Sequence, residues 1–346
     1  VRPFERSVEA HTQNALQGTF VVTQPRIVTV VFIIVETDIV IVEQGALNNP
    51  PIRASCLDFV CSTNMPDWRG VAFELLGETD ERLRHSLDLL RVRIAENGRN
   101  DIRYEQGDEF LARFLRASKY EIDRAFRMLN GYYTNRQTIP QAIGPRGRGP
   151  KDAAACIPIN ALTVLDRKNW DGSTVFMYRK GDWEPTKTDV RLADMLFLGY
   201  FMVELVMRDP LVQLQGITVV FDAQSFGFPD LPYCDMSVFK FLLSAANGQY
   251  PVRVRAIHVL SCPSVFRFVL NLFKTFLSPK LRERLYVHSS REKLIKYVDP
   301  AILPEEYSPQ SKNGPFSSEA VFRNLVAYHD WFVARSYYGL QPNCSE

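Results

Sequence analysis

PVRVRAIHVLSCPSVFRFVLNLFKTFLSPKLRERL, running from Pro251 to Leu285, holds three parts. The first is strand-like. Side chains alternate along a strand, so Arg253 and Arg255 share one face, while Val252, Val254 and Ala256 take the other. The second is a helix apolar on two faces. Phe266, Val269, Leu270 and Phe273 form one stripe, and Phe268, Leu272 and Phe276 form another. The third is a basic turn, in which Lys280 and Arg284 share a face at i,i+4 and Arg282 turns away. A greasy helix between cations suits a protein that meets an anionic membrane and handles an apolar ligand. The plain alternative is a buried helix beside solvated cations paired with Glu283 or Asp230.

Outward from this stretch, strands and helices alternate. Ser173–Tyr178, Ile217–Phe221, Val252–Leu260 and Leu285–His288 read as strands. Val190–Met207, Met236–Ala246, Pro263–Leu277 and Arg291–Tyr297 read as helices between or after them. That order predicts an α/β fold, a mixed and mostly parallel sheet covered by helices. A small helical lobe precedes it. Thr79 caps a helix with Asp80 and Glu81 in its first turn, and two more begin near Asp108 and Ile122. Pro140–Lys151, rich in Gly, Pro and Arg, is a linker or exposed loop. Ser318–Tyr337 reads as one final amphipathic helix.

The chain has 346 residues and a formal charge of +2, too small to imply nucleic acid as a partner without local clusters. Twenty-three Phe and 14 Tyr supply ample apolar bulk. The six cysteines are scattered without metal spacing, which reads as reduced thiols in a cytosolic compartment, with no metal and no cofactor. Ile27–Val35 is about half the length that spans a bilayer. It lacks signal-peptide features, and its β-branched residues favour a strand. No GxSxG, HExxH or phosphate-loop motif occurs, so no catalytic residue is expected. Glu204, inside an apolar helix, and Asp222, at a strand end, read as structural carboxylates: one paired with an Arg, the other capping a loop.

Six segments resemble the CRAL-TRIO lipid-binding family, notably its tocopherol-transfer, retinaldehyde-binding and clavesin branches. They are Phe110–Phe126, Val175–Pro185, Gln215–Asp222, Tyr250–Phe266, Phe276–His288 and Ile302–Tyr307, in the family's order. The resemblance implies a helical lobe over residues 76–140 and a lipid-binding domain over 150–312. A C-terminal helix and tail would occupy 313–346, and residues 1–75 would be a poorly ordered or foreign extension. It implies a cavity lined by Leu198, Met202, Ile217, Phe221, Ala245, Tyr250, Val252, Val254 and Ile257. A gate helix would add Phe266, Val269 and Phe273. Arg253, Arg255, Lys280 and Arg284 would bind the phosphates of phosphatidylinositol phosphates on endosomal or other intracellular membranes.

Two departures bear on this. Ser118 stands where the family often has a cation. The long helix Val190–Met207 contains no Ser or Thr, whereas tocopherol-binding members carry serines that fall on Gly199 and Val203. The implied function is transfer of a tocopherol-, retinoid- or sterol-like lipid. The alternative is a phosphoinositide-sensing trafficking module that transfers nothing.

Overall fold

The computed structural model describes residues 67–136, 146–181 and 183–341, together with the backbone of three N-terminal strands. The chain divides into two compact units, Val1–Ile52 and Arg53–Glu346. In the first, β1 (Gln17–Phe20), β2 (Val30–Val35) and β3 (Asp38–Glu43) form an antiparallel sheet in that order. The β-branched run expected as a strand supplies β2. The rest of residues 1–66, and 137–145 of the Gly-Pro-Arg stretch, lie outside the described residues.

The second unit begins its helices before Thr79. In α1 (Trp68–Leu76) the Asp67 side chain accepts from Arg69 N at 3.1 Å, and Gly77 closes the helix at φ 61°. Thr79 then caps α2 (Asp80–Asn97), accepting from Arg82 N. After the short β4 (Ile102–Arg103) come α3 (Asp108–Ser118) and α4 (Ile122–Arg136). Leu87, Leu90, Phe110, Phe114, Leu129 and Tyr133 form the core of this helical lobe.

The larger lobe runs β5 (Leu162–Val164), β6 (Thr174–Arg179), α5 (Leu192–Val206), α6 (Pro210–Gln215), β7 (Ile217–Asp222) and α7 (Met236–Ser244). It continues with β8 (Val254–Leu260), α8 (Ser264–Phe276), α9 (Pro279–Arg282), β9 (Leu285–His288) and α10 (Arg291–Leu294). It ends with α11 (Glu319–Ala327), α12 (His329–Arg335) and β10 (Gly339–Leu340), which pairs with β4. The single helix expected over Ser318–Tyr337 is broken at Tyr328, whose ψ of 15° leaves the helical range and whose ring packs on Arg208 at 5.0 Å.

The sheet order is β5-β6-β7-β8-β9, with β5 antiparallel to β6 and the other pairs parallel. This is the mixed, mostly parallel sheet read from the sequence. Alternation sorts its two faces. Val175, Met177, Val220 and Leu260 pack against Leu294, Val298 and Ile302. Phe176, Tyr178, Ile217, Val219 and Phe221 point the other way, into a cavity.

One feature of the filled face titrates. His258 Nδ1 and His288 Nε2 lie 2.9 Å apart, buried against the rings of Tyr286 and Tyr297. Burial first, then His288, pushes the His258 imidazole down to about 4 from 6.5, and Asp171 opposes this. Burial, then Lys293, lowers His288. Between these limits the unfolded chain binds a proton that the fold refuses, so stability falls as pH drops from 6.5 towards 4. The loss attributable to His258 approaches about 3 kcal/mol. Urea unfolding at neutral pH and near pH 4 should show a smaller difference in His258→Gln than in the parent. An unchanged difference would assign acid sensitivity elsewhere.

Candidate functional site

The cavity has a volume of about 410 Å³ and lies between the sheet, α5, α7 and α8. Its lining is apolar apart from a few groups, and the charged ones are already engaged. Lys180 pairs with Asp230 at 2.8 Å. Asp222 accepts from Tyr307 at 3.0 Å and from the backbone N of Gln224 at 3.0 Å. A low-dielectric space whose charges are paired at its walls favours an apolar occupant.

Seven of the expected cavity residues line it: Ile217, Phe221, Ala245, Tyr250, Val252, Val254 and Ile257. Leu198 and Met202 do not. They are fully buried on the far side of α5, in the core with Leu325, Trp331 and Phe332. The face of α5 towards the cavity carries Leu192, Met195, Leu196, Gly199, Tyr200 and Val203 instead. Because α5 is apolar on all sides, hydrophobic periodicity does not mark which stripe faces the space.

A bulge sets the phase of β8. Ile217 pairs with Val254 but Thr218 pairs with Ala256, so Arg255 is the extra residue. Val252 and Val254 face the cavity before it, and Ile257 and Val259 after it. Strict alternation from Val252 would have sent Ala256 inward. Arg255 is left exposed at the kink.

The α8 helix closes one side. Phe266, Val269, Leu270 and Phe273 line the cavity. The Phe266 ring stacks on Phe221 at 5.0 Å, and Phe221 stacks on Tyr178 at 4.6 Å, so three rings bridge sheet and helix. The second stripe points outward, with Phe268 73%, Leu272 51% and Phe276 60% exposed. At its C-terminal end, Asn247 donates to Phe276 O and accepts from Ser278 N, both at 3.0 Å.

The two basic clusters converge, and two cations from the helical lobe join them. Lys280 is held below its ordinary pKa mainly by Arg284, then by burial, Lys119, Arg124 and Arg253. Burial lowers Arg253, with Arg255 and Arg124 contributing. Arg253 donates to Arg116 O at 2.6 Å and Leu214 O at 3.3 Å, Arg255 donates to Gln215 O, and Arg284 donates to Val254 O. Backbone carbonyls thus orient the three guanidiniums. Among the described residues none of these six cations forms an ion pair, and Asp230 is taken by Lys180. Such a crowd of like charges repels itself and attracts anions. Ser118 is buried, its hydroxyl donating to Leu115 O. The neighbouring Lys119, at φ 59°, is one of the cations that lower Lys280.

Glu204 and Asp222 hold the structural roles read from the sequence. Glu204 pairs with Arg113 at 2.7 Å and accepts from the hydroxyls of Tyr132 and Tyr250. Burial alone would push its carboxyl up, but Arg113, Arg335 and Tyr250 outweigh burial and hold it below the usual carboxylate range. Among the described residues no cluster of His, Cys, Asp or Glu could hold a metal, and no helix is long and apolar enough to cross a membrane.

Residues 160–308 match the description of the CRAL/TRIO domain. The human protein named alpha-tocopherol transfer protein-like is 26% identical over 227 residues, 65% of each chain, so this chain spans just under two thirds of that relative's length. Clavesin-1 of Rattus norvegicus is 25% identical over 272 residues, 75% of this chain and 76% of that one. The crystal structure of Sfh5 aligns at a TM-score of 0.46 and 15% identity, covering 68% of this chain and 91% of its own.

Proposed function

From a chain that carries a CRAL/TRIO domain over residues 160–308, we propose a carrier that binds a hydrophobic lipid and transfers it at a phosphoinositide-bearing membrane. The observation that carries the reading is the cavity of about 410 Å³ closed by α8, a helix apolar on both its inner and outer faces. The inner face covers the cargo. The outer stripe of Phe268, Leu272 and Phe276 would enter the bilayer boundary, where exposed apolar side chains gain what they lack in water. Membrane phosphates would engage Arg253, Arg255, Lys280, Arg284 and the added Lys119 and Arg124. Lys280 lies two residues from Ser278, which Asn247 binds, so headgroup binding there would strain the latch on α8.

The apolar lining of the cavity supports a tocopherol-, retinoid- or sterol-like cargo, and one relative is named for tocopherol transfer. The α5 face offers Gly199 and Val203 where hydroxyls would hold a tocopherol head, which weighs against tocopherol itself. Transfer of a fluorescent apolar lipid from loaded protein to phosphoinositide vesicles is the test. A Phe268→Ser, Leu272→Ser, Phe276→Ser triple variant should slow transfer by about tenfold for each side chain no longer inserted, at roughly 1.5 kcal/mol apiece. If the parent docks on vesicles but exchanges nothing, the protein senses the membrane without carrying cargo.

A further inference from the structure

Behind one wall of the cavity lies a second, much smaller void of about 10 Å³, room for about one water. Arg136, Arg148 and Arg335 line it, with Glu105, Tyr132 and Ser336 among the other walls. Tyr200 borders both spaces, so one phenol ring of α5 stands between the apolar cavity and the arginines. The ring packs on Phe201 and Arg136, but among the described residues its hydroxyl has one long hydrogen bond. Its hydroxyl is 3.5 Å from the Tyr132 hydroxyl, the long limit of a hydrogen bond.

Two guanidiniums near the small void have carboxylate partners. Arg335 is matched by Glu105, and Arg113 by Glu204. Arg136 has no hydrogen bond or ion pair among the described residues. It lies between the rings of Tyr132 and Tyr200, at 5.7 and 5.5 Å. Burial works against its charge, but Tyr200, Tyr132 and Glu204 outweigh burial and raise its pKa, so it is a permanent cation. A half-buried guanidinium flanked by ring faces, with no carboxylate bonded to it among the described residues, lacks the planar anion its donors fit. In the large cavity the charged side chains Lys180 and Asp222 are already paired, so an acid group there finds its cation behind Tyr200.

We propose that the cargo is an acidic amphiphile: its hydrocarbon fills the large cavity, and its carboxylate turns Tyr200 aside to pair with Arg136. This rests on the lipid-carrier reading and narrows it, from apolar lipids in general to long-chain or isoprenoid acids. The ester or alcohol of the same chain fits the cavity equally well but leaves Arg136 uncompensated.

Fluorescence titration with cis-parinaric acid, its methyl ester and the corresponding alcohol tests this on the full chain. The acid should bind about tenfold to a hundredfold more tightly than the ester, as expected for a charge-assisted pair. Arg136→Gln should abolish that preference, and Arg136→Lys should keep part of it. The comparison within the unmodified protein decides even if Arg136→Gln does not fold. Equal affinity for acid, ester and alcohol overturns the acid site while leaving the carrier reading intact. No binding of any of the three overturns both.

Discussion

Arg113→Leu should destabilise the protein by about 3–5 kcal/mol, measured as a shift in the urea midpoint at neutral pH. Arg113 and Glu204 are 3% and 1% exposed, so removing the guanidinium strands a carboxylate in a medium that penalises charge. The effect is large because Glu204 joins separate elements. From α5 it reaches Arg113 on α3, Tyr132 on α4 and Tyr250 ahead of β8. One side chain thus docks the helical lobe onto the sheet lobe, and through Tyr250 it fixes part of the cavity wall. The double variant Arg113→Leu, Glu204→Leu should recover much of the loss, since neither member of the pair is left without the other. A double variant as unstable as the two single losses added together would mean the pair is not the unit that matters.

The sequence was most legible where residue type and period agree. Alternating strands and helices led to the sheet, and the i, i+4, i+8 stripe of Phe268, Leu272 and Phe276 led to an exposed apolar face. It was least legible where tertiary context decides. Nothing local separates Leu198 and Met202, which pack on α11 and α12, from Gly199 and Val203, which meet the cavity. Val254 and Ile257 line the same space only because a bulge at Arg255 shifts the alternation, and a bulge leaves no clear mark in such a run. Lys119 and Arg124 reach the basic surface from another lobe, far away in sequence. The α1 helix follows a stretch of breakers and is only nine residues long, so its pattern is too short to declare itself.

Replacing Arg253, Arg255, Lys280 and Arg284 with Ala should weaken binding to phosphoinositide vesicles by about a thousandfold, at about 1 kcal/mol for each cation lost near an anionic surface. The four are not equivalent. Arg253 and Arg255 also bond Leu214 O and Gln215 O at the end of α6, and Arg253 bonds Arg116 O across the lobes, so their removal disturbs packing as well as charge. Lys280 is exposed, and no hydrogen bond or ion pair ties it down among the described residues, so Lys280→Ala isolates the electrostatic part. Its present neighbours repel it, and an anion between them would turn that repulsion into attraction. Lys119→Ala should therefore act in the same direction as Lys280→Ala, although no periodicity links the two residues. Vesicle co-sedimentation at rising salt measures both. Added salt should erase the difference between parent and variants, because exposed charges are screened within about 10 Å at 0.1 M. Equal losses on vesicles lacking anionic lipid would show that the substitutions damage the fold, and the basic surface would then have no membrane role.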